Sequence, residues 1–150
     1  MLKANQILSS AFYVAWSGQG TKHLATVLFP ETLTGIGKSA FGYTLRLQRI
    51  AMPDAVTYLG EYAFMYCRGL KEVRLSKNLI RSFLHRTGKR PGIVPDLPEL
   101  GARAFGKCRG LTSIILPRSL TKIGYGAFEF CYGLREIYAY NPTPIDLSAH

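Results

Sequence analysis

The sequence is poor in the residues that carry most chemistry. Its 150 residues hold only nine acids, three histidines and three cysteines. No Cys-x-x-Cys pair occurs, and His23, His85 and His150 stand at no metal-ligand spacing from Cys67, Cys108 or Cys131. No metal or cofactor is therefore expected. Nucleophile motifs and phosphate loops are also missing, and Asp54, Asp96 and Asp146 are isolated acids near prolines. The chain is read as non-enzymatic. No stretch approaches the roughly 20 apolar residues that cross a bilayer, so membrane insertion is not expected. The apolar stretch Ile7–Trp16 is preceded by one lysine, is split by Ser9 and Ser10, and offers no clean small-x-small site, which makes a poor signal peptide. Disorder is excluded in turn, because 47% of the residues are hydrophobic and only 19% charged.

What the sequence has in plenty is positive charge and internal repetition. Nineteen Lys and Arg against nine acids leave a formal charge of +10, which directs attention to anionic partners. Repetition is the stronger signal. Ala40-Phe41, Ala63-Phe64, Ala104-Phe105 and Ala127-Phe128 are spaced by 23, 41 and 23 residues. An aliphatic-Gly step precedes each: Ile36-Gly37, Leu59-Gly60, Leu100-Gly101 and Ile123-Gly124. Cys67, Cys108 and Cys131 follow three of the pairs, with Thr44 in the remaining copy. Then come Leu47, Leu70, Leu111 and Leu134, and after them Ile50, Val73, Ile114 and Ile137. Met52-Pro53 and Leu116-Pro117 close their units, while Leu75-Ser76 departs.

Each unit mixes two periods. Ile123, Ala127, Phe128, Cys131 and Leu134 step by three to four residues, which predicts a short helical turn. Leu111, Ile114 and Leu116 shift to the alternation of a short strand. The glycine after each Ile or Leu is expected to supply permissive backbone angles for a tight turn. One such unit cannot bury its apolar side, but stacked copies can, so the chain is read as an α/β solenoid. The cysteines then fall on an inward column as core thiols.

The motif Ile-Gly-x-x-Ala-Phe-x-x-Cys-x-x-Leu-x-x-Ile-x-Leu-Pro resembles the BspA-like leucine-rich repeat, named for bacterial surface antigens. The likeness spans about residues 24 to 140. It implies a right-handed solenoid with short parallel strands on the concave face and short helical turns on the convex face. It implies no catalytic or cofactor residue. It also implies a protein ligand, such as a host matrix or cell-surface protein, and a secreted or cell-surface location.

The expected organisation is one domain over 1–150: a degenerate first coil at about 7–35, regular coils at 36–81, an irregular coil at 82–99, regular coils at 100–140 and a tail at 141–150. Ser82-Phe83 stands where Ile-Gly is due, and Leu84–Gly92 replaces a turn, so a protruding loop is expected there. Two surfaces emerge as candidates. The concave strand face would present Arg49, Ala51, Glu72, Arg74, Ser113, Ile115, Glu136 and Tyr138, a mix that suits a protein partner. The basic stretch 71–90, with Arg81, Arg86, Lys89 and Arg90 in its loop, is the alternative, fitted to a polyanion such as a sulfated glycan or nucleic acid. Tyr43, Tyr66, Lys107 and Phe130 share one repeat position, and a position that accepts Lys is expected to be partly exposed. Arg46, Arg68, Arg103 and Arg109 look like ordinary exposed turn positions.

Overall fold

A computed structural model describes residues 5–8, 10–11, 23–79 and 99–140. Among the described residues nine short strands carry the repeat. The longer set, β3 (Arg49–Ala51), β5 (Glu72–Arg74), β7 (Ser113–Leu116) and β9 (Glu136–Ala139), forms one parallel sheet in that order. The two-residue strands β1 (Gln6–Ile7), β2 (Gly35–Ile36) and β4 (Tyr58–Leu59) form a second ladder, and β6 (Glu99–Leu100) pairs β8 (Lys122–Ile123). Thr26 extends the main sheet by a single bridge to Arg49.

Alternation within the strands places their residues as expected. Ile50, Val73 and Ile114 are almost fully buried, while their neighbours Arg49, Ala51, Glu72 and Arg74 face out. β5 pairs directly with β7 although 41 residues separate Glu72 from Ser113. β6, which falls between them in sequence, pairs β8 outside this sheet. The core is a set of columns running across the coils. Phe41, Phe64, Phe105 and Phe128 stack at 5.1, 5.5 and 6.0 Å between ring centres, all within 8° of parallel. Phe29 meets the start of that column edge-on at 5.8 Å.

Among the described residues the expected helical turns are not there. Residues 38–43, 61–66, 102–107 and 125–130 are runs of tight turns. Within each run every second N–H bonds three residues back, as Ala40, Gly42 and Thr44 do to Gly37, Ser39 and Phe41. The intervening N–H groups reach the next coil: Ser39, Phe41 and Tyr43 donate to the carbonyls of Glu61, Ala63 and Met65. Tyr62, Phe64 and Tyr66 do the same to Ala102, Ala104 and Gly106. A single isolated helical turn is costly to nucleate and strands its end groups. The laddered turns satisfy theirs with the neighbouring coil. Their geometry requires a left-handed residue at regular points, so Ser39, Tyr43, Tyr62, Tyr66, Arg103, Lys107 and Phe130 all have φ between 49° and 64°.

The repeated glycine also has a different task from the one expected. Neither Gly60 nor Gly101 has a positive φ. A Cβ on Gly60 would instead lie 2.5 Å from the backbone nitrogen of Lys38. Glycine stands there because coils approach too closely for a side chain.

Candidate functional site

All eight concave-face candidates fall into two rows on the main sheet. Arg49 pairs in register with Glu72, Glu72 with Ser113, and Ser113 with Glu136. The second row runs Ala51, Arg74, Ile115, Tyr138. Thr26 continues the first row, and Leu28, 92% exposed, stands two residues beyond Thr26. Strand alternation lifts these side chains out of the core, and the parallel register sets each beside its counterpart in the next coil.

Residues Arg49–Ala51, Glu72–Arg74 and Ser113–Ile115 line a shallow depression of about 290 Å³. Its chemistry is mixed. Arg49 pairs with Glu72 at 3.2 Å, with both side chains largely in solvent, so this contact contributes little to stability. Arg74 lies between Ala51 and Ile115 in the second row. At the far end the Tyr138 hydroxyl donates to Glu136 at 2.9 Å, and that carboxylate raises the phenol's pKa above its ordinary value.

The other candidate surface is not described in the same way. Arg81, Arg86, Lys89 and Arg90 lie outside the described residues. Of the basic stretch, Lys71, Arg74 and Lys77 are seen, all exposed, and Lys77 is paired with Asp54 at 2.8 Å. The Lys77 bond holds the Asp54 carboxyl below its usual pKa.

The three thiols are buried and unbridged. Cys67, Cys108 and Cys131 donate to the carbonyls of Phe41, Phe64 and Phe105 in the preceding coil, at 3.1, 3.1 and 3.0 Å. Burial pushes the Cys108 thiol well up and the Cys131 thiol to about 11. Such groups are poor nucleophiles. Thr44 fills the same column by donating to its own coil's Phe41 carbonyl at 2.8 Å. Ser76, at the position held elsewhere by Pro, is fully buried and bonds the Asp54 carbonyl. Among the described residues no three His, Cys, Asp or Glu gather as a metal site would need.

One grouping escaped the sequence. Arg68, Lys107 and Arg109 converge around Tyr66, with the Lys107 ammonium donating to the phenol oxygen at 3.0 Å. The repeat alignment held the clue: Tyr66 with Lys107, and Arg68 with Arg109, are equivalent positions of neighbouring coils.

Parallel short strands, a stacked phenylalanine column and coils bonded edge to edge define a repeat solenoid. The chain belongs to the BspA-type leucine-rich-repeat family, whose model matches residues 3–85 and 93–146 in six copies. The unmatched residues 86–92 sit inside the stretch where the repeat breaks down. No curated protein matches the sequence. A leucine-rich cell surface protein from Faecalibacterium prausnitzii is similar in structure, with a TM-score of 0.70 and 26% identity, over 97% of this chain and 31% of that one. The leucine-rich repeat protein of T. pallidum shares the fold, with a TM-score of 0.58 and 24% identity, over 90% of this chain and 64% of the other. The chain thus spans about a third and under two thirds of these two solved structures. Membership in this repeat family points to a protein-interaction module.

Proposed function

We propose that the chain is a non-enzymatic binding and adhesion module that holds a protein ligand against its concave strand face. The observation that carries this is the pair of in-register rows: charged Arg49, Glu72 and Glu136 beside apolar Ala51, Ile115 and Tyr138 on one firmly packed sheet. Protein interfaces combine an apolar centre with a polar, charged rim, and rigid scaffolds lose little entropy on binding. Ile115 and Tyr138, 46% and 45% exposed, are the anchor residues of this surface, because exposed large side chains supply most interface energy. The right-handed winding goes with this proposal, since parallel crossovers take that hand. So does placement outside the cell or on its surface, the F. prausnitzii protein being described as a cell surface protein. Among the described residues no helix is long and apolar enough to cross a membrane.

The test is capture of proteins from an extracellular-matrix extract by the wild-type chain and by R74E/I115D. We expect a ligand that stays bound as salt is raised, because apolar contacts are not screened, and that is lost from the double variant. A ligand held equally by both would place binding elsewhere.

A further inference from the structure

We propose that Arg68 and Lys107, both against Tyr66, and Arg109, which lies over Tyr132, form a second binding site that takes the sulfate esters of a polysaccharide chain. The site lies in the turn region, apart from the concave rows. The Arg68 guanidinium sits 5.5 Å from the Tyr66 ring centre, and the Lys107 ammonium lies 4.7 Å from the same ring and 5.4 Å from that of Phe130. Arg109 covers Tyr132 at 5.7 Å. These contacts fix the direction of long side chains that would otherwise wander. Arg46, whose backbone carbon a Cβ on Gly69 beside Arg68 would meet at 3.4 Å, adds a cation one coil away.

What makes the cluster a site is the absence of its counter-charge. Among the described residues, Asp54, Glu61, Glu72 and Glu129 are paired with Lys77, Lys38, Arg49 and Arg103, and Glu136 accepts from Tyr138. Among the described residues no carboxylate forms an ion pair with Arg68, Lys107 or Arg109. The Tyr66 phenol registers the same field: the bond from Lys107 and the charges of Lys107, Arg68 and Arg109 hold its pKa below the ordinary value. Three donors of one sign from two coils match a tetrahedral anion with several acceptor oxygens, and guanidinium forks suit it well. Cations repeated in successive coils of the stack favour a polymer carrying such anions over a lone ion.

The rings argue against single-stranded nucleic acid. Base binding needs open aromatic faces. Here Tyr43 stacks on Tyr66 at 4.4 Å, and a cation lies over one side of Tyr66, of Phe130 and of Tyr132.

The experiment measures heparin affinity at physiological salt for the wild type, R68S/R109S, K107Q and the charge-matched control R49S/R74S. R68S/R109S should bind about tenfold more weakly, as losing charge-assisted contacts implies, with K107Q weakened in the same direction and the control nearly unchanged. Thermal melts check that the variants remain folded, and K107Q carries the test if R68S/R109S does not fold. A wild type that ignores heparin overturns the proposal, and so does an equal loss in R68S/R109S and the control. Displacement of heparin by a single-stranded oligonucleotide or by polyglutamate at matched charge overturns the glycan assignment.

Discussion

The inner coils and the last described coil share a sequence pattern but not an environment. Ile50 and Ile114 are 2% and 1% exposed, whereas Ile137, in the same column and ladder register, is 50% exposed. Cys67 and Cys108 are fully covered, while Cys131 is 9% exposed. Phe64 is stacked from both sides and, among the described residues, Phe128 from one. The residue type says which side of a coil is apolar, and the neighbouring coil decides whether that side is buried. Stability in such a stack is a nearest-neighbour property.

That contrast can be broken experimentally, most severely at the phenylalanine column. Phe64→Ala should cost about 3–5 kcal/mol in urea unfolding, and Phe128→Ala about 1–2 kcal/mol, since part of its surface already meets water. Equal costs would mean that burial does not depend on a coil's neighbours. Gly60→Ala should come next, at about 1–3 kcal/mol, because its Cβ would press on the Lys38 backbone and force the coils apart. A melt as high as wild type would show that the close approach is not required.

The thiols give a smaller, pH-dependent contrast. The Cys131 pKa is raised from 9.0 to about 11, so its unfolded form ionises first. The stability it contributes is fully present below pH 9 and is lost as pH rises through 11. Thiol-reagent labelling of the native protein should accordingly be slow at neutral pH, accelerate in the alkaline range, and strike Cys131 before Cys108. The smallest effect concerns the left-handed turns. Ser39, φ 53°, and Gly126, φ 59°, occupy one repeat position. Ser39→Gly should be neutral or stabilising by up to about 1 kcal/mol, and Gly126→Ala destabilising by a similar amount. Calorimetric melts that reverse these signs would contradict the turn geometry.

Much of this was legible in the letters. Identical side chains at equal spacing name a column whatever the backbone does between them, so Ala-Phe, Cys and Leu marked the core. Strand alternation likewise marked Arg49, Glu72, Arg74 and Ile115 as outward. The turns misled for the same reason. Ile36, Ala40, Phe41, Thr44 and Leu47 point inward in a helical turn and equally in a run of laddered turns, so spacing cannot choose between them. The choice rests on backbone bonds to another coil, which a local pattern does not record. The meeting of Arg68, Lys107 and Arg109 was hidden because Arg68 and Lys107 lie 39 residues apart and only the stacking brings them together.

The most direct measurement bears on the concave face as the working surface. A photo-crosslinking amino acid is placed in turn at Ile115, at Arg74 and, on the turn side, at Tyr62, and each version is irradiated with a protein ligand captured from matrix extract. Crosslinks at positions 115 and 74 and none at 62 are the predicted result. Crosslinks at 62 with none from the strands would contradict the account.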